Sequence, residues 1–322
     1  MSRRYSIPGQ SSPVDPLTTG AVALALVAVS SSGPLVAFAA ASALAVAFWR
    51  NALAVVLLGP VSVLRRRTEL RHLVRGAGRR EGGYCLLAGV ALAVHFATWM
   101  PSTKLTSVAT ATALVATQPV WQGLIVLGQG RRLPGPVWLG IGVAVVGAVL
   151  ATGADFGGSG RAVLGDLLAV LGAMAAAVYT SFGERARSAV STVSYTTICY
   201  GVCALLLLLV CLLGGVRLTG FPPTTWLAIG GLVVGAQLLG HSLLNYALHR
   251  ISATTVSVLI LLEAPGAALI AWAWLGQLPR PAALPGLALL LVGVAVVILA
   301  GGRAARRAQP VAAPPEAGPL PD

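Results

Sequence analysis

The second half of this 322-residue chain repeats its first at a fixed offset of 146 positions. Gly89 and His95 recur as Gly235 and His241, and Lys104-Leu105-Thr106 recurs as Arg250-Ile251-Ser252. Pro119, Gly140 and Gly147 recur as Pro265, Gly286 and Gly293. Between these markers the chain is apolar: 57% of its residues are hydrophobic and only 10% are charged, against about 25% charged in a soluble domain. That is too little polar surface for a water-soluble globule. Duplicated halves in a membrane chain are the usual architecture of secondary transporters.

The net charge of +13 does not point to nucleic acid, because the basic residues sit in short clusters between apolar stretches, as in membrane loops. A spanning helix needs about 20 mostly apolar residues. Ten candidates meet the pattern: 17–32, 35–59, 84–101, 106–128, 136–153, 163–183, 193–214, 224–247, 252–275 and 282–300. Helix-stopping chemistry stands in several connectors: Gly33-Pro34, Pro134-Gly135-Pro136, Phe221-Pro222-Pro223 and Pro279-Arg280-Pro281. With the N-terminus inside, 17 of the 22 basic residues fall in inside segments and 4 outside (Lys104, Arg161, Arg217, Arg280), with Arg50 inside a helix. The bias predicts a multi-pass protein of the plasma membrane with both termini cytoplasmic. The seven arginines of the 60–83 connector read as topogenic charges at the anionic inner leaflet.

Five helices per repeat is an odd number, so the second repeat enters the membrane in the opposite sense to the first. The expected fold is therefore an all-α integral membrane protein of ten transmembrane helices arranged as two inverted five-helix repeats. The expected segments are a cytoplasmic tail (1–16), the first repeat (17–153), a linker (154–162), the second repeat (163–300) and a disordered cytoplasmic tail (301–322). The N-terminus shows no cleavable signal peptide. Cys85, Cys199, Cys203 and Cys211 lie in apolar stretches without metal-ligand or disulfide spacing and read as small packing residues.

Over 17–300 the chain resembles the EamA-type members of the drug/metabolite transporter superfamily. The resemblance rests on the five-plus-five layout and on Phe48-Trp49-Arg50-Asn51 in the second helix. It rests also on Pro119 and Pro265 in helices four and nine, and on the Gly-x6-Gly pairs Gly140/Gly147 and Gly286/Gly293 in helices five and ten. Family members commonly have an acid after the Leu-Gly that follows helices four and nine; here Gln129 and Gln277 stand there. The resemblance implies transport of a small metabolite such as an amino acid, of a nucleotide sugar or of a drug.

Ionisable residues inside the bilayer are costly and mark functional sites. Glu263, two residues before Pro265, is the candidate proton-coupling group; its repeat partner is the neutral Thr117. His95 with Trp99, and Gln237 with His241 and Asn245, form i, i+4 stripes that lipid cannot satisfy. Arg50 lies too deep to reach the interface easily and suits either a substrate carboxylate or a protein acid. The substrate-binding candidates are thus Arg50, His95, Trp99, Thr117, Tyr179, Gln237, His241 and Asn245. Thr110, Gln118 and Trp121 are neighbours of weaker standing, and Asp166 and Glu184 are expected to see water at the ends of helix six. No catalytic group, metal site or cofactor is expected: no nucleophile elbow, zinc motif or paired carboxylates are present. The partners expected are a small-molecule substrate and membrane lipid, with a homodimer left open and nucleic acid excluded. The leading function is a proton-coupled exporter of a small metabolite working by alternating access. The alternatives are a multidrug or organic-cation carrier, a channel or sensor, and an intramembrane enzyme.

Overall fold

Helices in this chain begin where a small side-chain oxygen meets free amides. Asp15 accepts from the Thr18 amide and opens α1 (Pro16–Ser30). Ser42 does the same for α3 (Ala43–Arg65), which follows the short α2 (Ser32–Phe38). Such caps satisfy donors that the first helical turn leaves unpaired. The structure, a computed structural model, describes residues 15–106, 111, 114–152, 160–263, 265, 266, 269, 270, 273, 281 and 284–307; all regular structure among them is helical. Thr110 and Gln277 lie outside the described residues.

Along the first repeat, α4 (Arg67–Arg75), α5 (Arg79–Leu105), α6 (Gln118–Gly128) and α7 (Gly135–Thr152) follow. The second repeat brings α8 (Gly160–Arg187), α9 (Thr192–Leu213), α10 (Pro223–Leu232), a π-helical segment (Val233–His241), α11 (Ser242–Ala247), α12 (Ala253–Leu259), a 3₁₀ turn (Ile260–Leu262) and α13 (Leu284–Arg307). Among the described residues six stretches are long and apolar enough to cross a membrane: Pro16–Val36, Ala43–Arg65, Arg79–Leu105, Gly160–Arg187, Thr192–Leu213 and Pro223–Ala247. Three shorter apolar helices accompany them, Gly135–Leu150, Ala253–Leu262 and Leu284–Ala300.

The expected second helix, 35–59, is corrected. Gly33-Pro34 does not separate two spans; Pro34 sits in the first turn of α2, where no amide hydrogen is needed. The true break is at 39–42, where the Thr225 hydroxyl accepts from the Ala40 amide at 3.1 Å. Helix four is likewise not continuous over 106–128. Ala116 and Thr117 form a turn, and α6 starts at Gln118 with Pro119 in its first turn. At the equivalent place in the second repeat, the 3₁₀ turn Ile260–Leu262 interrupts the helix just before Glu263. Both repeats therefore break their fourth helix at the same register. The 60–83 connector holds α4, a helix the sequence reading treated as topogenic charge alone. Leu73 anchors it in the core, and Glu69 accepts hydrogen bonds from the Ser191 amide and from the hydroxyls of Ser191 and Ser194 at 2.6–2.7 Å. Partial burial pushes the Glu69 carboxyl up, but these donors outweigh it and hold it below its ordinary value.

The largest packing contacts run between repeats. In the first repeat α1, α3, α5, α6 and α7 carry the five expected spans. α5 lies on α8, α1 on the π-helical segment, α3 on α9, α6 on α12 and α7 on α13. Exchanging the two repeats maps this pairing scheme onto itself. The α7–α13 seam shows how the paired glycines serve it. A Cβ on Gly147 would lie 2.3 Å from the Leu290 amide nitrogen, and one on Gly293 2.3 Å from that of Ala144. Only glycine lets the two backbones approach this closely. The main core collects small and aromatic side chains from α3, α5, α9 and α10, among them Phe96, Tyr195 and Tyr200. The four cysteines are free and buried.

Candidate functional site

The polar residues of the two repeats meet around Arg50. It lies about a third of the way along α3 with 0% of its surface exposed. Its Nε donates to Gln237 Oε1 at 2.8 Å, and its Nη1 reaches Ser32 Oγ at 3.5 Å. The guanidinium carbon stands 4.5 Å from the centre of the Phe96 ring, a cation–π contact. Its Nη2 is enclosed and has no hydrogen-bond partner. Gln237 in turn donates from Nε2 to Asn51 Oδ1 at 2.9 Å, so one amide links a first-repeat arginine to a first-repeat asparagine.

A second branch runs from the same π-helical segment. The Tyr200 hydroxyl lies 3.4 Å from the Gln237 carbonyl and 3.2 Å from Ser242 Oγ, and it accepts from Asn245 Nδ2 at 3.4 Å. Asn245 Oδ1 accepts from the Tyr179 hydroxyl at 2.8 Å. The π-helix matters here because its wider turn changes the register. Gln237 and Asn245 feed the hydrogen-bond network, while the His241 ring between them packs against Phe96 at 5.7 Å and Tyr179 at 6.2 Å. His95 stacks on Trp99, the ring centres 5.6 Å apart and the planes 6° from parallel, and its Nδ1 lies 2.9 Å from the Gly172 carbonyl. Phe96 touches Arg50 and both histidine rings.

The structure thus brings together seven of the expected residues: Arg50, His95, Trp99, Tyr179, Gln237, His241 and Asn245. Thr117 stays apart at its helix break, donating to the Leu114 carbonyl and accepting from Trp121 Nε1 at 3.1 Å. Glu263, at the matching break, is half-buried and forms no ion pair with Arg50. Asp166 and Glu184, expected at water, are both half-buried, and one carboxylate oxygen of Asp166 is enclosed. Ser32, Asn51, Tyr200 and Ser242 were missed as members of the network, although a tyrosine in an apolar span is the same signal that marked Tyr179. A separate polar cluster ties α6 to its neighbours: Gln122 bonds Thr180 and Ser181, and Gln118 bonds Ser257. Among the described residues no group of three His, Cys, Asp or Glu side chains could hold a metal ion.

At one end of the bundle lies an open cavity of about 580 Å³, bordered by Ala39–Ser42, Lys104, Arg217 and Gly220–Pro222. Lys104 Nζ donates to the Ala41 carbonyl at 2.8 Å, and Trp49 Nε1 donates to the Leu218 carbonyl at 2.7 Å. The opposite end carries the α4 clasp and the Arg187 side chain, which donates to the carbonyls of Asn245 and Val190.

The sequence profile of the EamA-like transporter family matches residues 18–153 and again 163–299. The chain belongs to the EamA-like transporter family. A solved crystal structure aligns with this EamA-like protein at a TM-score of 0.72 and 20% identity, covering 89% of this chain and 98% of the other, a likeness that shows the fold. No curated protein matches. The EamA-like protein is accordingly an all-helical, multi-pass membrane protein of two repeats with a transporter fold.

Proposed function

We propose that this EamA-like protein is a secondary carrier of the plasma membrane, with both termini cytoplasmic, that exports a small metabolite such as an amino acid by alternating access coupled to protons. The observation that carries this reading is the buried Arg50–Gln237–Asn51 link between the two repeats, with its Tyr200–Asn245–Tyr179 branch in the second, in a fold whose two fourth helices are both interrupted. Interrupted helices near the bilayer middle are where carriers place cargo and coupling ions. In this reading the tyrosine and amide groups orient the cargo, His95 and Trp99 form one wall with His241 facing them, and Thr117 lines the approach. Glu263 takes up and releases the proton. Its carboxyl, outside any ion pair at a helix break two residues before Pro265, supports that role.

Purified protein in liposomes tests the proposal. A carrier gives saturable counterflow of labelled cargo, whereas a channel does not saturate at low cargo and an enzyme alters the cargo covalently. Glu263→Gln is expected to abolish accumulation driven by a pH gradient while leaving exchange at equal pH intact. Uphill, gradient-driven transport by Glu263→Gln would overturn proton coupling at this site. Loss of exchange as well would favour a carrier of organic cations in which Glu263 binds the cargo.

A further inference from the structure

A buried guanidinium is a costly group unless an anion or a full set of acceptors meets it. Arg50 has neither. Gln237 takes its Nε–H, the Nη1 contact to Ser32 is at the long limit of a hydrogen bond, and Nη2 has no partner. No carboxylate pairs with it: among the described residues the only ion pair joins Arg250 to Asp15. What remains unmet is the outer edge of the guanidinium, the Nη1–Nη2 fork. That edge matches the two oxygens of a carboxylate, which it binds through parallel hydrogen bonds.

A second observation points to the same charge. The open cavity at the end of the bundle contains Lys104 and Arg217 and has no acidic residue in its lining. The first turn of α3 opens onto it at Ser42, and that of α10 at Pro222, so two helix N-termini direct their positive ends there. Arg50 lies eight residues below Ser42 along the same helix, about 12 Å deeper at 1.5 Å per residue. Helix α3 thus runs from a cationic basin to a buried cation that lacks its anion.

We propose that the cargo bears a carboxylate, which the Nη1–Nη2 edge of Arg50 binds, with Lys104 and Arg217 forming a cationic basin at the outer mouth, which the anion crosses in either direction during exchange. The proposal rests on the carrier reading and narrows its cargo. The test uses the full-length protein in liposomes and three pools of isotope-labelled probes. One holds carboxylates (leucine, phenylalanine, glutamate, lactate and succinate), one amides and amines (leucinamide, phenylalaninamide and choline), and one phosphate esters (glycerol 3-phosphate and glucose 6-phosphate). Exchange is expected with the carboxylate pool alone. Arg50→Lys, checked for an unchanged elution profile, should raise the half-saturating concentration of the exchanging carboxylate at least tenfold. The double variant Lys104→Gln/Arg217→Gln should slow exchange several-fold at low ionic strength and flatten its salt dependence, with the saturated rate unchanged. Exchange confined to the amide and amine pool or to the phosphate pool overturns the proposal, as does carboxylate exchange that Arg50→Lys leaves unaltered. If Arg50→Lys does not fold, the exposed double variant decides, and an unchanged salt dependence overturns the proposal. Exchange with none of the pools overturns the carrier reading itself.

Discussion

Gln237 serves two partners with one amide: its oxygen accepts from Arg50 and its nitrogen donates to Asn51. Leucine has nearly the same volume and neither group. Gln237→Leu leaves a buried guanidinium Nε–H and a buried amide oxygen without partners, and a hydrogen bond to a charged group contributes about 1.5–3 kcal/mol. For a domain of 150–250 residues each kcal/mol moves the melting temperature about 2–4 °C and less in a larger protein, so the variant should lose a few degrees in detergent. A melting temperature equal to that of the unaltered protein would show that Arg50 and Asn51 are satisfied elsewhere. At this scale the sequence was informative about residue type and less so about contact. Intramembrane polarity alone marked Arg50, Gln237, Asn245 and Tyr179. The i, i+4 spacing set His241 on the same face as Gln237 and Asn245, yet in the π-helical segment its ring packs on aromatic rings instead of joining their hydrogen-bond network. Nothing in the one-dimensional pattern announces a π turn. Ser32 and Ser242 were invisible for a different reason: a serine in a helix more often bonds its own backbone.

Among the elements, the α7–α13 seam makes the clearest demand on sequence. A methyl group at Gly147 would strike the Leu290 backbone and the Gly286 carbonyl, none of which can swing aside. A methyl group at Gly142, on the same helix, meets nothing within 4 Å. In a helix alanine is otherwise better than glycine by about 0.5–1 kcal/mol, so the two substitutions should have opposite signs. Gly142→Ala should be neutral or slightly stabilising. Gly147→Ala should cost about 1–3 kcal/mol of overpacking. Thermal denaturation of both variants checks this, and equal melting temperatures would mean the helices can part without cost. The paired glycines were readable because their spacing recurs at the repeat offset. Helix boundaries were less so, because proline has no fixed meaning: Pro34 and Pro119 lie in first turns, while Pro60 and Pro101 lie inside α3 and α5. The breaks before Gln118 and Glu263 fall beside a polar residue and a proline, a local mark that hydropathy averaged over a whole span smooths away. Helix α4 was hidden by its three arginines, its hold on the bundle resting on Leu73 and on Glu69.

For the molecule as a whole, the arginine asymmetry predicts the orientation, and the structure supplies well-placed reporters. Arg75 on α4 and Arg217 beside the cationic basin are both exposed and lie near opposite ends of the bundle. In a variant lacking the four native cysteines, Arg217→Cys should react with an impermeant maleimide on intact cells and Arg75→Cys should react only after permeabilisation. The reverse pattern would invert the topology. The pairing of helices across repeats also bears on how such a chain is made. Arg50 finds its acceptor 187 residues further along the chain, which at about 5–20 residues per second is roughly 10–40 s of translation. Helices α1 and α3 wait a similar time for the segments they pack against, and α5 less than half as long. Through that interval the ribosome-bound first half is a set of spans with an unsatisfied cation and uncovered seams, unable to complete its own assembly. Its survival until the second half emerges depends on shelter from the insertion machinery, so the duplication that gives the finished protein its symmetry makes its birth a two-instalment process with a vulnerable pause.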